Sequence, residues 1–170
     1  MENKEIKFFY KKTKSKGSLM IELLIASAII VSAFLASSGV AQKSLQVSRQ
    51  SVHAAQASFL LEEGAEAVRI LRDNAWSNIT SLSTSTVYYP TFSSGTWTLS
   101  ATPSTVDIFT RTVELDLVER DATSADILPP GGSGVANVNG TKLVTVNVSW
   151  PEGGTTITKT LSFYISNIFE

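Results

Sequence analysis

The chain opens on a short stretch dotted with lysine, passes into a long apolar run, turns amphipathic, and ends in segments that alternate polar and apolar residues. From Leu19 to Ala41 there is no Lys and no Arg, and Glu22 is the one acid. Built as a helix, 18–41 would be roughly 36 Å long at about 1.5 Å per residue. That is enough to cross a hydrocarbon core of about 30 Å. No proline occurs before Pro90, so the helix is expected to run on past the apolar part. There Leu45, Val52 and Phe59 recur every seven residues, with Ala41, Ala55, Leu60 and Val68 near that face. A one-sided stripe of this kind needs a cover, and a sheet from the same chain is the expected one. Gly64 costs a helix about 1 kcal/mol relative to Ala, so it marks close packing or a bend. Asp73-Asn74 ends the helix, and Trp76 and Ile79 are expected to fold back onto the core.

From Thr80 the pattern changes to period two, rich in Ser, Thr and β-branched residues. Val113, Leu115 and Leu117 alternate with Thr112, Glu114 and Asp116, and Val144, Val146, Val148 and Trp150 alternate with Thr145, Asn147 and Ser149. Ile157, Leu161, Phe163 and Ile165 share a face interrupted by Lys159. Each segment reads as a half-buried strand. Pro151-Glu152-Gly153-Gly154 reads as a hairpin loop between the last two. Shorter strands are expected around Val87–Tyr89 and Thr96–Ala101. The fold class is α+β: a long N-terminal helix packed on a C-terminal antiparallel sheet of about four strands. The expected organisation is a basic leader over 1–17, a membrane-spanning helix over 18–41, its amphipathic continuation over 42–76, and a β-rich head over 77–170. Within the head, 121–140 reads as an exposed Pro- and Gly-rich loop.

Charge sharpens the division. Six Lys and two Glu precede Ser18, while eight Lys or Arg and thirteen Asp or Glu follow Gly17, so a product trimmed there would carry about −5. Positive charge ahead of the apolar span places that end in the cytoplasm. The acidic body argues against nucleic-acid contact. Cysteine is absent, which excludes a disulfide framework and thiolate metal sites.

Little catalytic chemistry is legible. Glu62 and Glu66 share a helical face, but Glu66–Arg69 and Arg69–Asp73 fall at ion-pair spacings, which favours a solvated network over a metal or acid–base site. The single His53 has no nucleophile paired with it by any motif and reads as a solvated or interfacial imidazole. Asp121 and Asp126 match no calcium loop. Asn78-Ile79-Thr80, Asn139-Gly140-Thr141 and Asn147-Val148-Ser149 fit a glycosylation acceptor by chance. No phosphate loop, nucleophile elbow or zinc spacing is present. The expectation is a protein that is not an enzyme and uses no cofactor or metal. Glu22 is the informative residue, because a carboxylate in a lipid-compatible helix costs on the order of a few kcal/mol near a bilayer centre. The apolar run supplies no cation for it, so its partner is expected on another chain.

The junction Lys16-Gly17-Ser18-Leu19-Met20-Ile21-Glu22 resembles the N-terminus of type IV prepilins and pseudopilins. That family carries a short basic leader ending in Gly, then an apolar helix with Glu at the fifth trimmed position. Gly17, Ser18 and Glu22 match those places. The resemblance implies cleavage between Gly17 and Ser18 by prepilin peptidase, N-methylation of Ser18, and assembly through the helix with other pilin subunits at the platform of a pilus machinery. It implies residence in the cytoplasmic membrane with the N-terminus inside, followed by export into an extracellular filament. In such a filament the Ser18 amine of one subunit would neutralise Glu22 of its neighbour. Ser18 stands where Phe is usual, and the C-terminal cysteine pair of many major pilins is missing, which points to a minor or accessory pilin.

Other readings stay open. One is a pseudopilin of a type II secretion system. Another is a membrane-anchored binding module with an uncut N-terminus, or with a Sec-type signal cut after Ala41. An apolar run this long exceeds the usual 7–15 residues of a signal h-region, and neither anchor reading explains Glu22.

Overall fold

A computed structural model describes residues 16–128 and 134–168. The expected leader lies outside the described residues except for Lys16 and Gly17. Helix α1 spans Lys16–Asn74 without interruption. A one-turn helix α2 (Ser77–Thr80) follows, then strands β1 (Tyr89–Ser93), β2 (Thr96–Ser100), β3 (Thr105–Val106), β4 (Phe109–Arg120), β5 (Val135–Glu152) and β6 (Thr155–Ser166). The chain divides at Ser48/Arg49 into two units. The first contributes only α1 among the described residues. The second holds the rest of α1 and all the strands.

In the second unit, β3-β4-β5-β6 form an antiparallel four-stranded sheet and β1-β2 a separate hairpin. The α+β class read from the pattern is the observed one. The turns follow from local chemistry. Gly153 and Gly154 both have positive φ, at 57° and 85°, the backbone that a two-residue type I′ turn between β5 and β6 demands.

The sheet packs on α1 through a face that includes Val68 and Leu60 of the predicted stripe but not its seven-residue repeat. Ala57, Leu61, Ala65 and Val68 are buried against Val113, Leu115, Val144, Val146 and Val148. Leu45, Val52 and Phe59 are 62%, 52% and 70% exposed. The reason is steric. The buried helix face carries Ala57, Gly64 and Ala65, whose small side chains let the valine-rich sheet approach closely. A Cβ on Gly64 would sit 2.8 Å from Val146 Cγ1 and 3.1 Å from Arg111 Cδ, so this glycine marks close packing and α1 does not break there. Full burial of each valine contributes about 1.5–3 kcal/mol. Ile79 is buried and Trp76 packs beside it, as expected of the return after α1.

Two further expectations are corrected. Leu117 does not share the inner face of Val113 and Leu115: it is 40% exposed and Val118 is buried. The β4–β5 register shifts between Leu117↔Lys142 and Val118↔Asn137, and such an irregularity exchanges the two faces of a strand whose side chains alternate. The loop assigned to 121–140 is also shorter than read, because 135–140 belongs to β5. Residues 121–128 are tied down. The Asp121 N–H donates to Asp126 O, the Leu128 N–H donates to Glu119 O, and Arg120 donates to Ala125 O at 2.8 Å. Residues 129–133 of the predicted loop lie outside the described residues.

Candidate functional site

In the first unit the predicted junction residues stand on successive turns of α1. The Gly17–Ser18 peptide lies in the helix's first turn. Ser18 and Glu22 are four residues apart and so share a face, together with Ile25 and Ile29 along an open groove. Every residue from Ser18 to Ser37 is exposed, so nothing in the described chain covers the apolar surface. Among the described residues this is the one helix long and apolar enough to cross a membrane.

The polar groups of this span separate into two kinds. The hydroxyls of Ser27, Ser32 and Ser37 each donate to a carbonyl one turn back, at 2.9 Å. A serine satisfied in this way is compatible with lipid or with a dry helix interface. Glu22 has no such recourse, because its carboxylate accepts no hydrogen bond or ion pair from any described residue.

In the second unit the carboxylates that could have formed a reactive cluster are divided among cations. Glu63 reaches Arg111 at 2.8 Å and Glu66 reaches Arg69 at 3.5 Å. Asp73 pairs with Arg72, not with Arg69 as its spacing suggested. The Arg69 guanidinium instead lies 5.1 Å from the Phe163 ring centroid. Arg111 is itself buried in the sheet, stacked over Trp97 at 5.3 Å. The Asp121 carboxylate accepts the backbone N–H groups of Thr123 and Ser124 at 2.8 Å, which hold it below the ordinary carboxylate range. No group of three potential metal ligands occurs among the described residues.

His53 is the interfacial imidazole of the two readings, partly exposed and paired across to the sheet. Its Nδ1 lies 2.7 Å from Glu152 Oε2, which also accepts the Trp150 indole N–H at 3.2 Å. The Phe109 ring meets the imidazole edge-on at 6.2 Å. His53 first, with a smaller part from Trp150, holds the Glu152 carboxyl below its usual value against the opposing effect of burial. Glu152 was legible only as a hairpin residue. The parity of Val144 to Trp150 extends to it and puts it on the helix-facing side, which is the signal that would have found the pair. These contacts join α1 to the sheet and assemble no nucleophile, base and oxyanion donor in one place.

Comparison with protein-family models, with curated proteins and with solved structures finds no match for this chain.

Proposed function

We propose that this chain is a type IV pilin-like structural subunit, more in the manner of a minor pilin than a major one. Prepilin peptidase would cut between Gly17 and Ser18 and methylate the new amine. The subunit would wait in the cytoplasmic membrane with its N-terminus inside and enter an extracellular filament through α1, beside other pilin subunits. The observation that carries this reading is Glu22, the single acid of the exposed apolar stretch of α1 and without a partner among the described residues. Cleavage before Ser18 creates a cation one turn away on every copy. Within a stack of parallel helices, the amine of one copy can reach the carboxylate of the next. Apolar packing alone fixes axial register poorly, whereas stranding one member of a buried pair costs about 3–5 kcal/mol.

The test is incorporation of Glu22→Ala into filaments. The variant is expected to enter the membrane at wild-type level and to be depleted from sheared filaments at least tenfold. Wild-type incorporation would overturn the register role.

A further inference from the structure

β6 is the edge strand of the four-stranded sheet and is twelve residues long, Thr155–Ser166. At about 3.4 Å per residue that is roughly 40 Å of strand. In the two-residue hairpin Glu152 pairs with Thr155. The odd-numbered residues from Thr155 to Ile165 therefore turn their backbone groups toward β5. The N–H and C=O groups of Thr156, Thr158, Thr160, Ser162, Tyr164 and Ser166 then point away from the sheet. Among the described residues nothing pairs with them.

Edges of this length are normally blunted by proline, by a bulge, by brevity or by an outward lysine. β6 has no proline, and it pairs with β5 without a register shift. Its one charged residue, Lys159, is committed to the helix: its Nζ donates to Ala54 O and to Ser58 Oγ, both at 3.0 Å. The edge is thus open, and beside it lie the partly exposed Ile157 and Tyr164, at 40% and 46%.

We propose that this edge is a docking surface for β6 of a second copy, paired antiparallel about a twofold axis at Leu161. The register is chosen by the sequence. Centring on Leu161 sets Thr156 opposite Ser166, Thr158 opposite Tyr164 and Thr160 opposite Ser162, so every outward backbone group gains a partner. On the helix-facing side it sets Ile157 against Ile165 and Leu161 against its own copy. Lys159 meets Phe163, whereas centring two residues earlier would bring the two Lys159 side chains together. Hydroxyl pairs and apolar pairs of this kind contribute across strands. The twofold reverses the direction of residues 49–74 between the copies. This contact is isologous, burying the same strand on both copies. It uses only the second unit and stands or falls independently of the reading of Glu22.

The test is amide hydrogen exchange by NMR on the full chain in detergent micelles, at low and high protein concentration. The amides of Thr158, Thr160, Ser162 and Tyr164 are expected to exchange freely when dilute and at least tenfold more slowly when concentrated. Those of Lys159, Leu161 and Phe163 are protected at both concentrations. The double variant Thr160→Lys with Ser162→Lys sets like charges opposite each other across the axis on an exposed face, at the loss of the Thr160 Oγ1–Asn147 Oδ1 and Thr145–Ser162 hydroxyl contacts. It is expected to abolish the concentration dependence and leave the odd-numbered protection intact. Even-numbered amides that exchange at one rate across the concentration range, or an unchanged effect in the double variant, would overturn the proposal.

Discussion

Nδ1 of His53 and Oε2 of Glu152 lie 2.7 Å apart although 99 residues separate them in the chain. The pair ties the middle of α1 to the β5–β6 turn, with the Trp150 indole donating to the same oxygen. Its titration has a definite sign. The folded state holds the Glu152 carboxyl below its unfolded value, chiefly through the His53 hydrogen bond. The resulting stability is fully present above the unfolded carboxylate value and is lost as pH falls through the lower, folded one. Thermal melts from neutral to acidic pH are therefore expected to show a steeper acid limb in the wild type than in Glu152→Gln. His53→Ala should flatten the same limb. Parallel curves would deny the pair a role in stability.

Gly64 sets how closely α1 and the sheet approach. Alanine there would gain about 1 kcal/mol of helix propensity. However, its Cβ would meet Val146 Cγ1 at 2.8 Å, and the valine is fully buried. Overpacking of this kind costs about 1–3 kcal/mol. Gly64→Ala is expected to be destabilising by roughly 1 kcal/mol on balance, and Gly64→Leu by more, as measured by denaturant midpoints. A stabilised Gly64→Ala would mean that the interface relaxes freely.

Two acids one turn apart on α1 should behave differently. Glu66 pairs with Arg69 in the open, with both side chains about half exposed, and such pairs are worth about 0–1 kcal/mol. Glu63 is also about half exposed, but its partner Arg111 is buried. Removing Glu63 leaves that guanidinium in the sheet with one fewer partner. Loss of a fully buried partner costs about 3–5 kcal/mol. Discounted for the exposure of Glu63, Glu63→Ala is expected to cost about 1–2 kcal/mol, against less than about 0.5 for Glu66→Ala. Equal midpoints for the two variants would contradict this ordering.

The elements with strong local signals were legible. The uninterrupted run before Pro90 gave α1, its end at Asn74 included, and the Gly153-Gly154 pair gave the last hairpin. Val144, Val146, Val148 and Trp150 gave a core strand by parity alone. What failed did so for tertiary reasons. The exposed Val52 and Phe59 outshine Ala57, Gly64 and Ala65 on any hydropathy scale, yet close approach to a valine sheet selects the small residues. Leu117 and Val118 exchanged faces at a register shift that their own pattern does not encode. The Gly- and Asn-containing stretch before Lys142 looked like loop by composition, yet 135–140 is held in β5. His53 and Glu152 are far apart in sequence and could be joined only once the helix and hairpin were in place. The junction around Glu22 is different in kind, since its geometry is wholly local and no described residue pairs with its carboxylate.

The mass of the N-terminal peptide from protein recovered from cells tests most directly whether Glu22 is served by a newly made amine. The expected peptide begins at Ser18 and carries one methyl group on its amino nitrogen. A chain that still begins at Met1, or one that begins at Gln42, would contradict the assembly role given to Glu22.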